Sequence, residues 1–478
     1  MIIVFDRNPC QTNLENMDRN NNHVLSDKNI PRLLLKLSVP AMIAMFVQAT
    51  YNVVDAIFVG RGVGSLGIAG ITIMMPVHML VLSIGILIGI GGASIISRAL
   101  GVGDQEKADR TVGNVFVLVL IFGSIITVAG FVWMDFWLKL FGATPEIMPY
   151  ARDYAEIRFI GTIFFAFMIS SNNIIRSDGR AKVAMGSMLV SALINIILDP
   201  IFIFWLDMGV RGAAIATLIA QVSAAIYIFC FLVSGHTSLN IRLKYFFPRW
   251  RIIREQLTIG SSAFSRQIGA SVMIIIINQT IGKFGDAKTG IYIAAYGIIH
   301  RVILMILMPM FGIAQGAQPI TGYNYGAHRY LLARKTIKIA ILWSSCVSIL
   351  GFLLLEIFAK TIVSVFTPEQ ELIQITAKAV RIVAIAMPFI GFQMIGAVMF
   401  QAIGKALPSL LLSASRQILF LIPLILILPS FFHISGIWLS FPIADALAVL
   451  LTFVFFLNQM RKFKHLETEW NSSHESGN

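Results

Sequence analysis

The chain is 478 residues long, 57% hydrophobic and only 13% charged, with a mean hydropathy of +0.80; this balance excludes a soluble globular enzyme. Its surplus of +13 does not mark a nucleic-acid binder, because the Lys and Arg residues lie in alternate connections between apolar segments, where they report membrane topology. Cys10, Cys230 and Cys346 lie far apart in sequence, which indicates neither a disulfide framework nor a zinc site.

In chain order, residues 1–30 are polar and Asn-rich and read as a disordered cytoplasmic arm, with no secretory core and with Met17 as an alternative start. Twelve apolar segments follow, near 32–59, 66–97, 108–138, 150–176, 182–206, 211–234, 253–282, 290–321, 333–358, 374–402, 406–429 and 435–458. Each is long enough to cross a hydrocarbon core of about 30 Å as a helix. Arg98, Lys107 and Arg110 follow span 2, Arg176, Arg180 and Lys182 span 4, and Arg242 to Arg254 span 6. Arg329, Arg334 and Lys335 follow span 8, Lys405 span 10, and Arg461, Lys462 and Lys464 span 12. The positive-inside rule makes these faces cytoplasmic, so both termini are expected inside a bacterial inner membrane.

The most hydrophilic interior stretch separates spans 6 and 7 and divides the chain into a first lobe (31–235), a cytoplasmic linker (236–252), a second lobe (253–460) and a loose cytoplasmic tail (461–478). The halves echo each other. An offset of 225 lays IISRALG (95–101) on ITGYNYG (320–326) and IIRSDGRA (174–181) on MFQAIGKA (399–406). One offset serving both pairs argues for an internal repeat. With six spans in each half, the halves share an orientation about an axis along the membrane normal, as in transporters built from two lobes.

The chemistry concentrates in the first half. Asp55 is the single charge between Lys36 and Arg61, and Gln48, Asn52 and Asp55 share one helix face. Span 5 repeats the pattern: Ser187, Ser191, Asn195 and Asp199 step by four residues, and Pro200 follows the acid. That proline removes a backbone donor and is expected to leave the carbonyl of Ile196 without its helical partner. Span 6 adds Thr217 and Gln221. Acids at membrane depth are costly and belong to lobe interiors or ion pathways; a carboxyl pair there titrates as one coupled unit. A hydrogen-bonded brace between spans 1 and 5 is the structural alternative.

FVQATYNVVDAIFVGRG (46–62), INIILDPIFI (194–203), GVRGAAIAT (209–217), GIAQGAQPITGYNYGA (312–327) and SRQILFLIPLILILP (415–429) resemble multidrug and toxic compound extrusion (MATE) transporters, over roughly residues 31 to 460. The resemblance implies an all-α integral membrane fold of the MOP superfamily, with twelve transmembrane helices in two pseudo-symmetric six-helix lobes. It implies a monomeric secondary transporter, without cofactor, that exports amphipathic, often cationic compounds in exchange for H+ or Na+. It places ion coupling at Gln48, Asp55, Asn195, Asp199 and Thr217, with Na+ as an alternative cargo at Asp55, Asp199, Asn195 and Thr217, and bending at Pro40. Pro200 is added as a second hinge from the span 5 reading. Residues 261–282 of span 7 and 382–404 of span 10 carry no acidic residue, which departs from the NorM-like branch and favours the DinF-like branch or its MepA-like relatives.

Arg266, Arg301 and Arg416 are cations inside spans 7, 8 and 11. They read as an inner gate or anionic-substrate contact, together with Gln267, or as anchors to backbone carbonyls; Asp445 has the same two readings. Met168, Met305, Met308 and Met394 are candidates for an adaptable cavity lining beside Asn52 and Gln221, against the plainer reading as packing. The glycine-rich IGILIGIGGAS (84–94) lacks the residues of a nucleotide loop and suits close helix packing. Two other functions fit parts of the pattern. One is a flippase for lipids or lipid-linked oligosaccharides, which calls for cations facing the cavity. The other is an intramembrane aspartyl hydrolase, which the surroundings of Asp55 and Asp199 do not favour.

Overall fold

A computed structural model describes residues 23–475, all helix, turn or loop. Eleven helices are long and apolar enough to span a membrane, and a twelfth span is formed by a bent pair. The first six are α1 (Ile30–Gly62), α2 (Leu66–Val102), α3 (Gln105–Val132), α4 (Met148–Ser177), α5 (Ala181–Trp205) and α6 (Gly209–Val233). The second six are α7 (Trp250–Phe284), α8 (Thr289–Gly326), α9 (Tyr330–Ser364), α10 (Gln370–Ala384 with Met387–Ala402, bent by 43°), α11 (Ala406–Ile427) and α12 (Pro429–Glu475). The bend in α10 falls just before Pro388, whose ring cannot continue the helix.

Within the first half, α1 packs on α5, α2 on α4, and α4 and α5 on α6; within the second, α8 packs on α9 and α7 on α11. The halves meet where α1 crosses α8, α2 crosses α7, and α2 crosses α8. This pattern is symmetric, because moving six helices along the chain turns the α1–α8 contact into the α7–α2 contact.

The repeat offset read from the sequence is visible in those contacts. A Cβ on Gly101 would collide with the carbonyl oxygen of Tyr323, and one on Gly326 would collide with that of Arg98. Gly101 and Gly326 are 225 residues apart, and so are Arg98 and Tyr323 (326 − 101 = 323 − 98 = 225), so the α2–α8 contact exchanges equivalent residues as a two-fold axis requires. Gly91 lies against the Gln256 carbonyl and its mate Gly316 against Ser38; Gly260 lies against the Leu87 carbonyl, matched by Gly312 against Met42, and none of these four leaves room for a Cβ. Helix backbones therefore touch along a seam at the end of the bundle where α1 and α7 begin. Small residues permit such approach, and dispersion between the packed surfaces holds it.

Ion pairs and side-chain bonds close the same end. Glu255 of α7 receives Arg98 (2.9 Å) and Lys107 (3.2 Å) from the first lobe, and Gln256 donates to the carbonyl of Ile88 at 3.0 Å. The linker is ordered along α3, with Asp109 accepting from the backbone N–H of Asn240 at 2.8 Å.

Of the arm expected to be loose, residues 1–22 with Met17 lie outside the described residues, whereas 23–30 are fixed. His23 stacks on Tyr323 of α8, with ring centroids 5.2 Å apart. Its Nδ1 accepts from the N–H of Leu25 (3.1 Å), which leaves Nε2 to donate to Asp178 (3.3 Å). Leu25 is fully buried beneath the bundle. The tail also departs from the expected loose segment, since α12 continues to Glu475. His465 pairs with Glu469 one turn on (3.2 Å), Glu467 with Arg334 (3.6 Å), and Trp470 stacks on His328 at 4.2 Å.

Asp178, in the α4–α5 connection, ties three segments together: besides His23 it accepts from Thr237 Oγ1 (2.8 Å) and the N–H of Ser238 (3.2 Å) in the linker. Asp178→Ala strands these donors and is expected to lower stability by about 1–3 kcal/mol. Thermal unfolding of purified wild type and variant in the same detergent checks it. An unchanged melting temperature would show that the arm and linker are held by packing alone.

Candidate functional site

Asp199 closes the regular part of α5. Pro200 has no N–H to give to the helix, and the turn that follows is a π turn over Ile201–Trp205, with the N–H of Leu206 donating to the Ile201 carbonyl at 3.0 Å. Such turns reset the direction of a helix and are frequent at functional positions. The acid is fully buried, as is Asn195 one turn earlier, which is 2% exposed. Nδ2 of Asn195 donates to Asp199 Oδ1 at 3.0 Å and reaches Thr217 Oγ1 at 3.5 Å, while the Thr217 hydroxyl donates to the Ala213 carbonyl at 2.9 Å. Lower on the same stripe, Ser187 donates to Asn172 of α4 at 3.2 Å.

The two acids meet. Asp55 of α1 and Asp199 of α5 stand close enough to interact directly, and α1 and α5 are packed neighbours. A bond between two carboxyl groups needs a proton, since ionised carboxylates only accept. Asp55 Oδ1, Asp199 Oδ2 and Asn195 Oδ1 are buried with no donor among the described residues. Three acceptor oxygens without donors form a set that a proton or a hard, oxygen-seeking cation satisfies.

Beside the pair lies a cavity of about 290 Å³, lined by α1, α2, α4 and α6 of the first lobe. Asp55 and Thr217, which the sequence reading assigned to ion coupling, line it together with Gln221, which that reading assigned to a cavity. Gln48 stands one link away, donating to the Tyr51 hydroxyl at 3.1 Å, and the side chain of Asn52 lies outside the described ones. Tyr51, His78, Tyr154 and Arg158 also line the cavity, and sequence reasoning missed all four. Arg158 Nη2 is 2.9 Å from His78 Nδ1. The methionines that line it are Met74, Met75 and Met79. Met168 and Met394 are packed in the hydrophobic core instead, and Met305 is exposed on α8.

The MatE family profile matches residues 40–201 and 263–427, so both lobes fall within it. The chain belongs to the MATE family. It is 25% identical over 425 residues to the multidrug export protein MepA of Staphylococcus haemolyticus (strain JCSC1435), covering 89% of this chain and 93% of that protein. A MATE solved in the bent conformation superposes with a TM-score of 0.87 at 27% identity, covering 93% of this chain and 98% of that one. The MATE multidrug transporter DinF-BH superposes with a TM-score of 0.83 at 42% identity, covering 90% of this chain and 96% of that one. The DinF-like and MepA-like resemblance read from the sequence is therefore borne out.

In this MATE chain the second lobe treats its charges differently. Arg416 of α11 bonds Asp445 of α12 through Nε to Oδ1 (2.5 Å) and through Nη2 to Oδ2 (3.2 Å). Its partner is thus a carboxylate, where the sequence pointed to backbone carbonyls or an unpaired gate. Arg301 is exposed on α8, and Arg266 is half-buried, 6.0 Å from the ring centre of Phe311. Gln267 reaches across the lobes to Met79, Nε2 to Sδ at 3.8 Å.

The Arg416–Asp445 fork is built as a brace. Removing Asp445 leaves the part-buried Arg416 charge without its partner, so Asp445→Asn is expected to destabilise the MATE fold by about 1–3 kcal/mol, while Arg416→Met with Asp445→Leu comes within about 1 kcal/mol of wild type. Thermal unfolding of the three proteins decides it. A double variant as unstable as the single one would show that the pair contributes more than charge balance.

Proposed function

We propose that this chain is a secondary transporter that exports amphipathic organic cations in exchange for H+ or Na+ by alternating access. The observation that carries the reading is the contact between Asp55 and Asp199, with their orphaned oxygens, at the wall of the first-lobe cavity. A cation held by the pair and a cationic drug held in the cavity compete for the same negative charge. Binding of one favours release of the other, which is what exchange requires. The name of the MepA relatives, multidrug export protein, supports the same direction of transport.

The geometry also supports a cycle. If the termini face the cytoplasm, the glycine seam closes the cytoplasmic side, and the acid pair stands in the outer half of the lobe. Asp55 is seven residues from the end of α1 (62 − 55), or about 10 Å along the helix. Pro40 lies inside the seam, between Ser38 and Met42, so a hinge there would swing the outer part of α1 and Asp55 with it. Ion entry from outside neutralises the pair, the bonds among Asp55, Asn195, Asp199 and Thr217 rearrange, and the cavity loses its attraction for the drug. The flippase reading asks for cations facing a path between the lobes. Arg416 is neutralised by Asp445, which weighs against it.

Ethidium efflux from everted vesicles under separate pH and Na+ gradients tests the reading. Wild type is expected to respond to one gradient, and Asp55→Asn and Asp199→Asn each to lose at least about tenfold in gradient-driven rate, about 1.4 kcal/mol in coupling. Efflux that survives both substitutions would remove the acid pair from the mechanism. No movement of any organic cation under either gradient would favour the flippase.

A further inference from the structure

Exchange at the acid pair leaves unexplained the arginine that shares the first-lobe cavity with Asp55 and acts on it as a nearby positive charge. Arg158 lines the same cavity of about 290 Å³ as Asp55, and a guanidinium at membrane depth persists only where its surroundings compensate it. Part of the compensation is aromatic: its Cζ lies 5.9 Å from the ring centre of Tyr154 and 6.0 Å from that of Phe165. Part is the 2.9 Å bond to His78 Nδ1. Arginine keeps its protons, so this imidazole nitrogen is the acceptor. The stack of the His78 ring on Phe165 at 4.7 Å holds it in place. The compensation stops short of Nη1, which is buried and has no acceptor among the described residues.

One cavity thus presents orphaned atoms of opposite kinds: Asp55 Oδ1 and Gln221 Oε1, which need donors, and Arg158 Nη1, which needs an acceptor. A simple cation satisfies the first kind and leaves Nη1 to the solvent of the cavity, a weaker partner for a guanidinium than a carboxylate. A molecule carrying both a cationic centre and a carboxylate satisfies both, and carboxylate is the anion whose planar geometry a guanidinium matches.

We propose that Arg158 is the anion-binding half of the substrate site, so that the cavity takes amphipathic zwitterions with their carboxylate on Arg158 and their cationic end toward Asp55 and Asp199. This inference rests on the export reading above and narrows its substrate class. Arg158 is then a specificity-determining residue, and His78, by occupying Nη2, turns the remaining guanidinium edge to the ligand.

Two dyes that differ in a single group test it: a rhodamine ethyl ester, which is a simple cation, and its free acid, which adds a carboxylate to the same fluorophore. Binding to the purified full-length protein is read by fluorescence polarisation. Wild type is expected to bind the free acid at least as tightly as the ester; Arg158→Gln is expected to weaken the acid at least about tenfold while leaving the ester within about threefold, and Arg158→Lys to fall between. Wild type that prefers the ester by about tenfold overturns the proposal, as does Arg158→Gln weakening both dyes alike. If Arg158→Gln does not yield folded protein, the wild-type ratio decides alone. Wild type that binds neither dye contradicts the export reading and this inference with it, whereas binding of the ester alone contradicts only the inference.

Discussion

Two carboxyl groups in contact inside an apolar lobe impose a condition on everything around them: a proton or a cation must stand between them, or one must move. Asp55 and Asp199 come from α1 and α5, so the condition acts on the packing of two helices rather than on a single side chain. The neighbouring groups all bear on it. Asn195 gives one hydrogen bond to Asp199 and reaches Thr217. Pro200 converts the end of α5 to a π turn at the acid. The cavity brings a second charged species within reach of the pair, and buried charges in competition for one partner are coupled energetically.

The far end of the bundle has the opposite character. Glycines at 91, 101, 260, 312, 316 and 326 bring backbones of the two lobes together, and Glu255, Arg98 and Lys107 fasten the rim. A tightly closed end and a cavity in the other half belong together in a carrier, because a site open to both sides at once would leak. The seam repeats about a pseudo-two-fold axis, so each lobe contributes equivalent helices to the closure. The chemistry does not repeat: the acid pair belongs to the first lobe, and the fork of Arg416 and Asp445 neutralises the buried charge of the second.

The repeat was legible in the sequence because close backbone packing demands glycine at fixed positions, and an offset of 225 carries Gly91 onto Gly316 and Gly101 onto Gly326. The polar stripe of α5 was legible because Asp199 is the only charged residue between 183 and 206 and Asn195 stands one turn before it. Arg158 was not, because Arg152, Asp153 and Glu156 precede it in sequence and make the start of α4 look like an ordinary helix end. The partner of Arg416 lies 29 residues away on another helix, a separation that no local pattern encodes. Methionine carries no mark of its neighbours either: Met168 and Met79 read alike, yet one is core and the other lines the cavity. His23 and Leu25 sit in an Asn-rich arm, and their order comes from Asp178 and Tyr323, which are distant in sequence.

The central claim is that the Asp55–Asp199 pair gives up its cation when a drug enters the cavity. Ion release on binding measures this directly: ethidium is titrated into purified protein in weak buffer while pH and free Na+ are followed. The account predicts about one proton or one sodium ion released per dye bound, and none from Asp55→Asn or Asp199→Asn. Stoichiometric ethidium binding by the wild type with neither ion released would contradict it.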